Sequence, residues 1–184
     1  MTNCGVGSIA LLLLGGLTWT TGGSARSGEA DPVAFLEKLT GEWAAVTYAT
    51  LGPGQEPVRM ASVEAARLLG EQWLVAESTA ATPDGAPVTS IFTLGYDLSH
   101  GRFVGTYISS QQTHLWSYVG RLDPAGTALT LETEGPIHGD PARVTSYREV
   151  IEVVSPDHKV MRSMILGPDG KWFEFARAEY RRAD

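Results

Sequence analysis

The sequence predicts an all-β protein, an antiparallel up-and-down β-barrel of about ten strands preceded by one short helix. Three observations lead there. From Gly41 onward, stretches rich in Val, Thr, Tyr, Trp, Phe and Ile alternate with clusters of Gly, Pro, Asp or Ser, the pattern of a β-meander. Thr82-Pro83-Asp84-Gly85 and Gly167-Pro168-Asp169-Gly170 place Pro second and Gly fourth, which suits a type I turn closing a hairpin. No stretch long enough for a crossover helix interrupts the series, so parallel βαβ architecture is excluded.

The helix is predicted at the start. Asp31 is placed to cap it, Pro32 fits the first helical position, and Phe35, Leu36 and Leu39 share one face. Strands are predicted over Glu42–Leu51, Val58–Leu69, Gln72–Ala81, Val88–Asp97, Arg102–Ser109, His114–Leu122, Ala128–Glu134, Arg143–Val154, Lys159–Leu166 and Lys171–Arg181. Closing the series into a barrel removes the exposed edges that an open sheet would carry. Connections after odd-numbered strands then lie opposite the helix. They include the longer ones, Gly52–Pro57, Ser110–Thr113 and Gly135–Ala142, so the helix end is predicted closed and the opposite end is the mouth.

The first 25 residues carry no charged side chain and contain the apolar run Ile9–Leu17. That is a secretory core by length, although no Lys or Arg precedes it. Gly23-Ser24-Ala25 supplies small residues for cleavage after Ala25. The predicted organisation is a signal peptide over 1–25, an N-terminal segment with the helix over 26–40, and a barrel over 41–182. An anchor is the competing reading, but the run falls short of the roughly 20 residues that span a bilayer and is broken by Gly15 and Gly16. A periplasmic or secreted protein with no stable membrane span is therefore expected. Cys4 would leave with the signal peptide, and with it disulfides, thiol catalysis and cysteine-bound metal. A net charge of −7, with basic residues dispersed apart from Arg181-Arg182, argues against nucleic acid as a partner.

Six residues are candidates for contacting a guest. His114, Trp116 and Tyr118 alternate and so share one face of a strand, and Tyr107 lies on the strand before it. Facing inward they would offer stacking area and polar tips to an amphiphile; facing outward they would form a surface stripe. Glu77 and Glu149 sit in mid-strand among apolar neighbours, where an inward carboxylate must pair with a cation or hold its proton. Arg148 and Arg162 are the candidate partners. No Ser-His-Asp order, nucleophile elbow or carboxylate pair at a catalytic spacing is present, so no catalytic residue is assigned and no enzyme is expected. The histidines lack metal-motif spacing, so no metal and no cofactor is implied; haem held by His114 or His138 is the minor alternative.

Gly41-x-Trp43, directly after the helix, resembles the opening of a lipocalin-like, or calycin, β-barrel. In such barrels an Arg from the last strand lies over this Trp, a role that the resemblance gives to Arg181 or Arg182. Trp43 is then structural. A wider set, Leu36-x-x-Leu39-x-Gly41-x-Trp43, Leu94-Gly95-Tyr96-Asp97 with Phe103-Val104, Arg148-Glu149-Val150, Gly167-Pro168-Asp169-Gly170-Lys171, Glu179-Tyr180 and Arg182, resembles the bacterial domain-of-unknown-function family 1579. The resemblance implies a calycin-like barrel with no established activity. Members often show Trp-x-Asp where this chain has Tyr107-Ile108-Ser109, so no carboxylate role transfers to Ser109.

The expected function is capture of one small apolar or amphiphilic molecule. A cell-envelope interaction module with a packed interior is the alternative, and a third reading uses Glu77 or Glu149 as a catalytic base. The export assignment is tested directly: intact-mass and N-terminal analysis of the protein from the host envelope should show a chain that begins at Arg26.

Overall fold

A computed structural model describes residues 30–50, 55–82, 85–137 and 139–183. The predicted signal peptide and cleavage site, His138, and Gly52, Pro53 and Gly54 of the first long connection lie outside the described residues. The elements are α1 (Pro32–Leu39), β1 (Gly41–Ala49), β2 (Val58–Leu69), β3 (Trp73–Ala81), β4 (Pro87–Asp97) and β5 (Arg102–Ser109). They continue with β6 (Trp116–Leu122), β7 (Ala128–Ile137), β8 (Asp140–Ser155), β9 (His158–Leu166) and β10 (Trp172–Arg182). Each strand pairs antiparallel with its neighbours in sequence, and β1 pairs with β10, from Trp43↔Arg182 to Ala49↔Ala176, to close the barrel. The fold is the predicted one.

Helix α1 forms for local reasons and is placed by distant ones. The Asp31 carboxylate accepts from the Val33 and Ala34 amides at 2.9 and 3.4 Å, and Pro32 costs nothing at the first position. Phe35, Leu36 and Leu39 are fully buried against β2, β3 and β4, with Phe35 edge-on to Phe103. They close the barrel at its base.

The junction between α1 and β1 is a tight knot. The Leu39 carbonyl, one of the orphan acceptors of the last helical turn, receives the Trp43 indole N–H at 3.0 Å and the Lys159 ammonium at 3.5 Å. The Arg182 guanidinium donates to the Thr40 carbonyl at 2.6 Å. Lys159 and Arg182 both stand over the Trp43 ring, 4.4 and 4.3 Å from its centre, so the resemblance's choice between Arg181 and Arg182 falls to Arg182. Gly41 is needed here twice over: its φ is 108°, and a Cβ would lie 2.0 Å from the Arg182 guanidinium.

One loop expectation is corrected. Gly135–Ala142 is not an open loop: β7 runs to Ile137, β8 begins at Asp140, and the two form a long hairpin with a register shift at Pro136. Val144 and Thr145 pair with Pro136 and Gly135, and β-branched residues there extend the ladder.

Glu64 and Lys159 meet at 2.6 Å inside the barrel, 8% and 6% exposed, with Ser78 donating to the other Glu64 oxygen at 3.2 Å. Breaking a buried pair from one side strands a charge, which costs about 3–5 kcal/mol. Lys159→Met should lower stability by that amount in denaturant melts, and adding Glu64→Gln should restore most of it.

Candidate ligand-binding site

Strand parity divides the interior into levels. At the base lie Trp43, Leu74, Leu94, Phe103 and Leu129, all fully buried. Above them the register sets Glu149 beside Leu131 and Ser163, Ile151 beside Met161, and Tyr147 beside Ile165. The wall made by β10, β1, β2 and β3 presents small residues inward, with Ala45, Ala49, Ala66, Ala76 and Ala178 all buried. The facing strands present rings, Phe92 on β4, Tyr107 on β5, and Trp116 and Tyr118 on β6. Small residues thus stand opposite large ones across the interior, an alternation by which side chains fit together inside a barrel.

Glu149 is the centre of this region. It is 7% exposed, and one of its oxygens accepts from the Ser163 hydroxyl at 2.5 Å. Burial pushes its carboxyl up to about 8, against the opposing pull of that hydrogen bond. At neutral pH it is an acid that holds its proton. Its charge, when present, is felt by Tyr118 and Tyr180, whose phenols are raised above their ordinary value mainly by burial. Among the described residues the hydroxyls of Tyr107, Tyr118 and Tyr180 have no hydrogen-bond partner. Tyr107 and Tyr180 are only partly buried, so these phenols keep surface that water or a guest can meet.

A ladder of rings crosses the mouth. His114 packs edge-on to Trp116, Trp116 to Tyr147 and Tyr147 to Phe175, with centre distances of 4.7, 4.9 and 6.0 Å. Gln112 accepts from the Trp116 indole at 2.9 Å, and the Tyr147 hydroxyl donates to the Pro136 carbonyl at 2.7 Å. Gly135 makes this possible, because a Cβ there would fall 2.3 Å from the Trp116 ring. A cleft of about 380 Å³ beside the ladder is lined by Ser110, Gln111, Gln112, Thr113, His114 and Pro136. A second of about 280 Å³ is lined by Glu132, Thr133, Glu134, Ser146, Tyr147 and Trp172. Neither is lined by Tyr107 or Tyr118, so both are separate from the level of Glu149.

Of the six candidates, Tyr107, His114, Trp116, Tyr118 and Glu149 lie on the inner side or at the mouth. Glu77 does not. It is exposed, because Leu74, Ala76 and Ser78 take the inward parity of β3 and a residue between Ala76 and Ser78 must face out. The proposed cationic partners are also corrected. Arg148 bonds Glu132 at 2.7 Å and stands over Trp172, and Arg162 bonds Glu152 at 3.2 Å, so both serve the outer surface and Glu149 has no counter-charge. Sequence reasoning missed Glu64, Lys159, Ser163 and Tyr180. Lys159-Val160-Met161-Arg162-Ser163 does alternate, which could have placed Lys159 and Ser163 on the face of Met161. Among the described residues no three His, Cys, Asp or Glu side chains converge as a metal site requires, and no helix is long and apolar enough to cross a membrane.

A closed meander of ten strands with a short helix at its base is an up-and-down antiparallel β-barrel. The chain belongs to the family described as protein of unknown function (DUF1579), which it matches over residues 30–182. No curated protein matches the sequence. Among solved structures it is similar to Rv2717c from M. tuberculosis, at 15% identity and a TM-score of 0.58, covering 85% of this chain and 100% of that one. It is also similar to the S-type phycobiliprotein lyase CPES from Guillardia theta, at 14% identity and a TM-score of 0.56, covering 82% and 92%. At such identity the likeness is one of fold.

The unfolded chain ionises Glu149 near 4.5 and the folded chain only near 8, so between those values the unfolded state binds fewer protons. This residue therefore withdraws stability as pH rises, on the order of 4–5 kcal/mol by pH 8. Glu149→Gln, neutral throughout, should match the native protein near pH 4.5 and become progressively more stable than it towards pH 8, as thermal melts across that range would show. A constant difference would mean that Glu149 is ionised in the fold.

Proposed function

We propose that this protein is an exported binding barrel, periplasmic or secreted, that captures one small amphiphilic molecule in its upper interior and does not turn it over. The observation that supports this reading is the convergence of Glu149, whose hydrogen bond comes from Ser163 and which has no cationic partner, with the phenols of Tyr107, Tyr118 and Tyr180. A barrel that served only as a scaffold would be more stable with apolar side chains there, since each unmet polar group is a cost. Phe92, Tyr107, Met161 and Tyr180 point inward, yet each keeps part of its surface accessible. The fold is also compatible with small-molecule work, because one structural relative is a phycobiliprotein lyase.

Glu149 is what favours a second, catalytic reading, since a carboxyl with a value of about 8 is suited to proton transfer near neutrality. Its bonded neighbour is a serine hydroxyl, and His114 belongs to the ladder at the mouth. That leaves an acid without a relay, and capture is the simpler use.

Native mass spectrometry of the protein purified from its own host tests the proposal. A retained small molecule of constant mass is expected. Tyr118→Phe should weaken its retention by about tenfold, the value of one lost hydrogen bond of roughly 1.4 kcal/mol. A clean mass, with no shift in melting temperature across fatty acids, isoprenoids and haem, would overturn capture in favour of an envelope interaction module.

A further inference from the structure

We propose that the guest is an organic cation, a molecule with an apolar tail and one ammonium group, whose charge is received by the Glu149 carboxylate among the Tyr107, Tyr118, Tyr180 and Phe92 rings. This rests on the binding-barrel reading and names the chemistry that the site accepts.

The charge inventory of the interior carries the argument. Lys159 is fully committed, bonded to Glu64 at 2.6 Å and to the Leu39 carbonyl and standing over Trp43 and Tyr180. That pair is neutral as a unit. Glu149 is left with one hydrogen bond, from Ser163 to a single oxygen, and it takes part in no ion pair. The arginines on its own strand pair and on its neighbour, Arg148 and Arg162, are bound to carboxylates outside the wall. An ionised Glu149 thus gives the interior an uncompensated charge of one negative unit, at a site 7% exposed. A buried carboxylate without a cation is among the most expensive groups a fold can hold, and the protein escapes the cost only by keeping the proton. An ammonium guest offers the other escape.

The surroundings fit a cation and resist the alternatives. Ring faces attract a desolvated ammonium. Phe92 and Tyr118 already meet edge to face at 5.9 Å, and Tyr107 and Tyr180 complete the aromatic set. A carboxylate guest would meet Glu149, which has no cation to offset it, while the interior cation Lys159 is already committed to Glu64. A neutral alcohol would find donors but gain nothing from the charge.

The titratable and charged groups around Glu149 are Tyr107 on β5, Tyr118 on β6, Tyr180 on β10, and the Glu64–Lys159 pair of β2 and β9. Tyr118 and Tyr180 are raised by burial and stay neutral near pH 7, and Lys159 is held by Glu64. A permanently charged guest bound at neutral pH should therefore displace one proton, and that proton comes from the Glu149 carboxyl.

Three probes with one tail and different headgroups test this: octyltrimethylammonium, 1-octanol and octanoate, titrated calorimetrically into ligand-stripped protein at pH 6, 7 and 8.5. The ammonium should bind at least tenfold more tightly than octanol at pH 8.5, with octanoate weakest, and its lead should shrink towards pH 6. Titrations at pH 7 in buffers of different ionisation enthalpy should show release of close to one proton for the ammonium and none for octanol. In Glu149→Gln both the headgroup preference and the proton release should vanish, while Glu77→Gln, on the outer surface, should keep both. If octanol or octanoate binds as tightly as the ammonium, the cation assignment falls and the binding barrel stands. If none of the three binds, both fall.

Discussion

The Leu39 carbonyl, at the end of the only helix among the described residues, is the point on which the rest of the structure depends. Its two donors come from opposite ends of the barrel sequence, the Trp43 indole from β1 and the Lys159 ammonium from β9. Arg182 of β10 binds the next carbonyl, that of Thr40. A helix terminus with unmet carbonyls and a partial negative charge is thus satisfied by two cations and an indole N–H, which ties helix, first strand and last two strands into one unit. Barrel closure between β1 and β10 occurs at this place, beginning with the Trp43↔Arg182 pair. Without the knot the helix has no fixed seat and the seam has no anchor.

Sealing the base in this way decides where chemistry can occur. Trp43, Phe35, Leu36 and Leu39 exclude water from the lower barrel, and the Glu64–Lys159 pair tolerates that dryness because each partner satisfies the other. Glu149 lies higher, buried with a hydrogen bond from Ser163 and no cation beside it. The same low polarity that strengthens the Glu64–Lys159 contact keeps Glu149 protonated, because a single hydrogen bond from Ser163 does not offset the loss of hydration. One interior therefore holds two carboxyl groups in opposite states, one paired and one protonated, and the difference is the presence of a lysine.

The mouth is governed by shape and not by charge. The ladder from His114 through Trp116 and Tyr147 to Phe175 spans three separate segments of chain and relies on Gly135 having no side chain. The structural relatives share the barrel at 14–15% identity, which fixes the wall and leaves its inward side chains free to differ.

The sequence by itself determined the architecture. Alternation of period two, hairpin turns such as Gly167–Gly170, and the Asp31-Pro32 helix start are local signals, and each is legible without knowing what lies across the barrel. It also determined the Gly41-x-Trp43 plug and placed Tyr107, His114, Trp116, Tyr118 and Glu149 among the candidates. Only the tertiary structure decided which way the strands face and which charges meet. Glu77 looked like Glu149 in its apolar neighbourhood, yet the parity of β3 turns it outward. Glu64 and Lys159 are 95 residues apart, Arg182 and Thr40 are 142, and pairings so distant leave no local trace. The physical reason is that alternation fixes a side chain's face only after register and closure are set, and those depend on contacts between strands that the linear order does not contain.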